Sequence, residues 1–449
     1  MTQKKPKAPA TETKPSKRYD PFIEKTLCEM FPPEWLRETA KETGLVKRER
    51  KIDPVIMFWV LTLSFGVRLQ RTLASLKRSY TGRSGKKVSD GSWYERFTPE
   101  LVLFMKTCVM HGIEHFAQNE KRKLSERLDN FKDVLIQDNT VIRLHEALAE
   151  KWPATRSRKV AAGVKVSLLV SAVADGPKTV AIHGERTSDI NTLRIGPWVK
   201  DRILLIDLGF YKHHMFTKIK ENGGFFVSRL KDSADPLILS SNRTCRGNSI
   251  DVVGKTVSEV LPRLKRQVLD LTVEVPIKRR TYKGKQKGDA SLFRLVAIYN
   301  EDEKKYHTYI TNIDCDVLGP DEIASLYGAR WEVELIFKEL KSKYALDVVN
   351  TKNPQIIEAY IWTAILTLLV SKTVHGLVRR RGEKAGKKAV RFTQLRWSNT
   401  FSENNTRLMD VIFEYLNIEF DLMTIHDVYD SDALDPHVNR ERFREEWWS

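Results

Sequence analysis

Residues 321–344 read DEIASLYGARWEVELIFKELKSKY. The stretch opens on Asp321 and Glu322, which suit the positive end of a helix dipole. It then runs without proline and with one glycine, Gly328. Ile323, Leu326, Trp331, Leu335 and Leu340 recur at roughly helical spacing, so the stretch is expected to form one amphipathic helix. Tyr327, Arg330, Glu334 and Lys341 fall at i, i+3, i+7 and i+14, which puts all four on one face. A carboxylate flanked by cations and a phenol can be a solvated charged stripe. It can equally be a carboxylate that holds a metal beside a polyanion. The rest of the chain has to decide.

Working outward, the 449 residues carry 76 Lys and Arg against 58 Asp and Glu, a net charge of +18. Such a balance points first to a nucleic-acid partner. Cys28, Cys108, Cys245 and Cys315 are far apart and form no C-x-x-C pair, which argues against a zinc ribbon and fits a reducing, cytoplasmic setting. Residues 1–20 are charged and Pro-rich, read as a disordered basic tail rather than a signal peptide. Ile361–Val370 is apolar but too short to span a bilayer, and reads as part of a buried helix, so no membrane partner is expected.

Residues 21–128 look helical and are expected to bind DNA, with a helix-turn-helix-like element between Arg68 and Phe97. At 131 the period changes. FKDVLIQDNTVIRL, AGVKVSLLVSAVADG, KTVAIHG and DRILLIDLGFY read as strands, with helical or loop character before the last. That order is an α/β signal over 129–224. Residues 225–312 read as a β-rich insertion with cationic loops such as KRRTYKGKQKGD. Within 313–378, read as the second part of the core, helix returns at 321 and again from Pro354 to about Val378, followed by the basic linker RRRGEKAGKKAVR within a helical C-terminal region, 379–449.

Two carboxylates stand out on the strands. Asp138 is expected at the end of the strand in LIQDNT, and Asp207 ends the strand in LLIDLGFY. Either alone is an ordinary turn former or helix cap. Together with Glu334 in a basic chain they form the hard oxygen set that two divalent ions prefer. His213-His214 cannot share one face of a regular element, Asp314 reads as a turn residue, and Asp189 reads as a loop residue, with support of a metal site the lesser alternative. No P-loop is present, so ATP-driven chemistry has no support.

The pattern Y-x2-R-x3-E-x6-K, formed by Tyr327, Arg330, Glu334 and Lys341, resembles the YREK signature of DDE transposases of the insertion-sequence-four family. Trp331, Phe337 and Lys338 strengthen the likeness, as does D-x-G-F at Asp207. The resemblance covers about 131–350 and implies an RNase H-like catalytic core carrying a β-rich insertion. It implies that Asp138, Asp207 and Glu334 bind two Mg2+ ions, with Mn2+ able to substitute, and that Tyr327, Arg330, Trp331, Lys338 and Lys341 contact DNA. It implies double-stranded DNA partners, the element's terminal inverted repeats and target DNA, and a homodimer in the DNA complex, for which the C-terminal region is the candidate. Members cut through a hairpin, with a flipped base stacked on a tryptophan of the insertion. Here no Trp lies between Asp207 and Trp331, and Phe225, Tyr282, Phe293, Tyr299, Tyr306 or Tyr309 would have to serve. The rival readings are an RNase H-like endonuclease and a transposase-derived DNA-binding protein without catalysis.

Overall fold

A computed structural model describes residues 21–48, 52–64, 72–119, 122–155, 161–244, 250–278, 288–344, 346, 351–388 and 393–418. The basic tail, Arg68, Arg71, Cys245, Tyr282 and the segment beyond 418 lie outside the described residues.

The chain begins with helices α1 (Phe22–Met30), α2 (Pro33–Glu42), α3 (Pro54–Ser64), α4 (Leu73–Ser84), α5 (Asp90–Tyr94) and α6 (Pro99–Asn119). Pro33 and Pro54 open their helices, where a missing N–H costs nothing. Every residue of α3 is buried, as its all-round apolar sequence requires. Helix α4 ends at Ser84, where Gly85 takes the left-handed conformation at its C-cap.

Strands β1 (Asp133–Leu144), β2 (Ala162–Ser171) and β3 (Gly176–Gly184) form an antiparallel meander. The short helix α7 (Asp189–Thr192) leads to β4 (Arg202–Ile206), then α8 (His213–Glu221) and β5 (Phe225–Arg229). Strand β4 adds parallel to β1, and β5 adds parallel to β4. Next come β6 (Leu237–Ser241), α9 (Val257–Val260), β7 (Val268–Lys278), β8 (Gly288–Asn300) and β9 (Lys305–Thr311), all antiparallel. Strand β9 returns to pair with β5, so the strands among the described residues make one nine-stranded sheet, β3-β2-β1-β4-β5-β9-β8-β7-β6. Residue 225, where the sequence placed the start of the insertion, therefore opens a strand that pairs with β4.

The last helices are α10 (Pro320–Gly328), α11 (Trp331–Ser342), α12 (Pro354–Lys384) and α13 (Gln394–Tyr415). The expected single helix over 321–344 is thus two, broken at Ala329–Arg330. The break resets the helical phase. The buried face of α11 is Val333, Ile336, Phe337 and Leu340, whereas Trp331 and Leu335, expected inside, are exposed. Helix α12 starts from Asn353, whose side chain accepts hydrogen bonds from the Gln355 and Ile356 amides, and it runs on through Arg379–Lys384. The expected basic linker therefore begins as helix. By length and composition α12 could cross a membrane, but its apolar stretch is buried within the protein.

The sheet has two covered faces. Val134, Ile136, Ile203, Leu205 and Val227 pack with α11, α12 and the N-terminal helices, so the first helices share one core with the sheet. Leu135, Leu204, Ile206 and Phe226 pack with α8 on the other side. Continuous burial along β2 is what a strand covered on both faces demands.

Candidate active site

The register of the sheet assembles the site. Gln137 pairs with Ile206, and Ile206 pairs with Ser228. One residue further on, Asp138, Asp207 and Arg229 make the next row, and Arg229 pairs with Tyr309 of β9. Side chains alternate along strands, so this row faces the same side as Ile136, Leu205 and Val227. Asp207 follows the last residue of β4 and keeps an extended backbone. Asp138 is not at a strand end, as the sequence suggested. It lies midway along β1, at the point where β1 outruns its parallel neighbour β4. A crevice outside the carboxyl ends of parallel strands is where open α/β sheets bind ligands.

Helix α11 covers this crevice. Its apolar face seats on the sheet, which turns Arg330 and Glu334 toward Asp138. The Arg330 guanidinium donates to Glu334 Oε1 at 2.5 Å and stands 3.5 Å from Asp138 Oδ2. Further along the helix, Lys341 Nζ donates to the Val141 carbonyl of β1 at 3.2 Å. Lys338 is exposed one turn beyond Glu334. The break before α11 leaves Tyr327 at the end of α10, packed 5.4 Å from Tyr309 and 5.9 Å from the Arg330 guanidinium.

Electrostatically the site is short of positive charge. Burial pushes the Asp138 carboxyl up to about 6, and the Asp207 and Glu334 carboxylates push the same way. The Asn139 amide, donating to Asp138 Oδ1 at 2.7 Å, and Arg330 work against that rise. Burial also raises the Tyr327 phenol to about 12, with the Arg330 guanidinium acting against that rise, and among the described residues its buried hydroxyl makes no well-formed hydrogen bond. An orphaned buried hydroxyl in a crevice implies a missing partner.

Among the described residues no three His, Cys, Asp or Glu side chains stand close enough to cage an ion unaided. Arg330 fills the space between Asp138 and Glu334. The donor set nevertheless fits a divalent cation: hard carboxylate oxygens, partly exposed, with their mutual repulsion only partly cancelled by one guanidinium.

Sequence reading missed Arg229. The cue was present, a charged residue closing the apolar strand FFVSR, like Asp207 after LLI. By sequence alone that strand reads as part of the insertion, which sets it apart from the carboxylates. The aromatic candidates fare differently. Phe293 is buried among Phe216 and Phe226, Phe225 packs on Phe131, Tyr309 is buried, and the Tyr306 hydroxyl donates to the Arg266 carbonyl. Trp331 is 58% exposed, directly after Arg330. Of the other candidates, His213 hydrogen-bonds the Pro276 carbonyl, and Asp314 lends its backbone carbonyl to Arg294.

The chain is 22% identical over 388 residues to the transposase for insertion sequence element IS231F of Bacillus thuringiensis subsp. israelensis, covering 78% of this chain and 79% of that one. It is 22% identical over 386 residues to the transposase for IS1151 of Clostridium perfringens, covering 79% and 80%. Among solved structures, a piggyBac transposase synaptic complex with hairpin DNA aligns over 94% of this chain and 87% of that one, with a TM-score of 0.47 and 11% identity. The family model described as the transposase DDE domain matches residues 129–370, more than half of the chain and the span that holds Asp138, Asp207 and Glu334. By that match this chain belongs to the transposase DDE domain family.

Proposed function

We propose that the protein is a cut-and-paste DNA transposase of the YREK type, with Asp138, Asp207 and Glu334 as its catalytic carboxylates. One observation carries the reading: the sheet register sets Asp138 and Asp207 in one row and α11 brings Glu334 and Arg330 against it. In this reading the three carboxylates hold two Mg2+ ions. Bound there, the metal supplies Lewis-acid activation of the attacking and leaving oxygens at phosphorus. Hydrolysis at the element's end forms a new oxygen–phosphorus bond from water and breaks the P–O3′ bond opposite, freeing a 3′-hydroxyl. That hydroxyl then attacks a target phosphodiester, and the displaced 3′-oxygen of the target leaves.

The chain's own cations handle the DNA. Arg330 leaves the two carboxylates and turns its planar fork to a phosphate. Tyr327 gives its unpartnered hydroxyl to a phosphate oxygen, and Arg229, Lys338 and Lys341 line the same approach. Exposed Trp331 is the stacking partner for a flipped base if cutting goes through a hairpin. The N-terminal helices bind the terminal inverted repeats, and the C-terminal helices join two copies in the DNA complex.

The test is incubation of the protein with labelled element-end DNA and Mg2+, alongside Glu334→Gln. The reading expects cleavage and strand transfer by the unmodified chain and neither by the variant. Cleavage that survives Glu334→Gln would remove the site assignment, and cleavage without strand transfer would make the protein a nuclease.

A further inference from the structure

On the opposite face of the sheet, directly behind the carboxylate row, lies a polar cluster around Asp189, the residue for which the sequence left support of a metal site as the lesser alternative. Residues 137, 139 and 141 of β1 alternate away from Asp138, so Asn139 points to this rear side. Its Nδ2 donates to Asp189 Oδ1 at 2.8 Å. Lys165 of β2, nearly buried, donates to the same oxygen at 2.6 Å and to the Thr187 carbonyl at 2.6 Å. The second oxygen, Asp189 Oδ2, lies against Gly209, where an added Cβ would come within 2.6 Å of it. Thr192 closes the cluster, its hydroxyl donating to the Asp189 carbonyl at 2.7 Å.

Asp189 thus joins three segments. Through Asn139 it grips β1 one residue after Asp138. Through Lys165 it grips β2. Through Gly209 it braces the turn that starts at Asp207. Its own carboxylate is neutralised by Lys165 and sits behind the sheet, so it does not touch reacting atoms. We infer that Asp189 is a positioning residue: a strut that sets the spacing between Asp138 and Asp207 and so tunes their affinity for divalent metal. This rests on the metal-site reading above. Supporting partners of ligating carboxylates commonly carry about 10- to 100-fold in metal affinity or activity. Gly209 belongs to the same device, because only a residue without Cβ lets the turn close on the Asp189 carboxylate.

The experiment uses the full chain and four variants: Asp189→Asn, Lys165→Gln, Gly209→Ala and, as control, Glu334→Gln. Mn2+ binding is followed by electron paramagnetic resonance without DNA, DNA affinity by anisotropy in EDTA, and cleavage as a function of Mg2+. Asp189→Asn is expected to weaken Mn2+ binding about tenfold. The Mg2+ needed for half-maximal cleavage should rise by a similar factor, with DNA affinity in EDTA within about twofold of the unmodified chain. Lys165→Gln and Gly209→Ala should shift the metal curves in the same direction. If Asp189→Asn fails to fold, Lys165→Gln carries the test, since it leaves the Asn139 contact in place. Unchanged metal curves in both variants overturn the inference, as does an equal loss of DNA affinity and metal affinity, which would mark a purely structural role. Glu334→Gln separates the two readings. If it binds Mn2+ as the unmodified chain does, the metal site itself falls. If it loses Mn2+ while Asp189→Asn and Lys165→Gln do not, only the strut falls.

Discussion

Two Asp–Arg pairs anchored on the sheet look alike and differ in physics: Asp270–Arg294 within it, and Asp138–Arg330 between it and the break before α11. Asp270 of β7 and Arg294 of β8 meet through two parallel hydrogen bonds, 2.9 and 2.8 Å, with side chains 1% and 6% exposed. The remaining Arg294 nitrogen donates to the carbonyls of Ile313, Asp314 and Leu318, and Asn242 adds a donor to Asp270. All three guanidinium nitrogens donate to the protein. Asp138 and Arg330 touch once, at 3.5 Å, in a crevice where Arg330 must also serve Glu334 and where Asp207 adds a third acid. The first pair locks β7 and β8 to the start of α10. The second is charge left unbalanced, and unbalanced charge at strand ends is where a binding site is expected.

The largest expected effect tests the unbalanced pair. Glu334→Gln keeps shape and removes one charge, and cleavage should fall on the order of ten-thousandfold, since metal-assisted displacement contributes several kcal/mol. A single-turnover cleavage assay reads it; a loss under about tenfold would mean that Glu334 is not part of the reacting set. The balanced pair comes next. Arg294→Met leaves the buried Asp270 carboxylate without its counter-charge, with only Asn242 still donating to it, and should cost about 3–5 kcal/mol in urea unfolding. Arg330→Met should cost under about 1 kcal/mol while weakening DNA binding and cleavage. Equal destabilisation by the two would erase the contrast.

How much of this was legible in the sequence follows from which interactions are local. Asp207 could be found because a buried strand and its terminal acid are contiguous. The Arg330–Glu334 contact was legible because i, i+4 spacing survives the break. The break at Ala329–Arg330 was marked only by Gly328, which a helix interior can also tolerate, and with the break went the true buried face of α11. Asp138 was placed at a strand end because sequence patterning cannot tell where a neighbouring strand stops. Arg229 reaches the site only through the β5–β9 and β4–β5 pairings, which bring together residues far apart in the chain. Asp189 read as a loop residue for the same reason: its partners lie on three different segments.

A smaller effect follows from the cost of keeping the site unbalanced. The folded state holds the Asp138 proton up to about 6, against 3.8 for the free side chain, so between those values the folded chain binds more proton than the unfolded one. Asp138 therefore takes stability away as pH rises through that window, and the full penalty is present above it. Asp138→Asn should stabilise the metal-free protein by about 1–3 kcal/mol at pH ~7 and by under about 0.6 kcal/mol at pH ~4. Urea titrations in EDTA at both values check the sign. A variant that is less stable at neutral pH would mean that the carboxylate is already compensated, as Asp270 is.

The smallest effect concerns the rim of the same site, where a cation has neither kind of partner. Lys338 is exposed on α11, one turn past Glu334, and makes no ion pair among the described residues. If it lies along a DNA backbone, its contribution is counterion release, so Lys338→Ala should reduce the slope of log affinity against log salt by about 0.9 for duplex DNA. Folding and the Mg2+ dependence should stay as they are, because nothing in the fold leans on it. Lys341 makes the opposite case on the same helix: its ammonium is tied to the Val141 carbonyl of β1, so Lys341→Ala should disturb the seating of α11 as well as the slope. Anisotropy titrations of an inactive Glu334→Gln background across several salt concentrations resolve the two. An unchanged slope in Lys338→Ala would place the DNA path away from this rim and leave the carboxylate row to be approached from the Arg229 side.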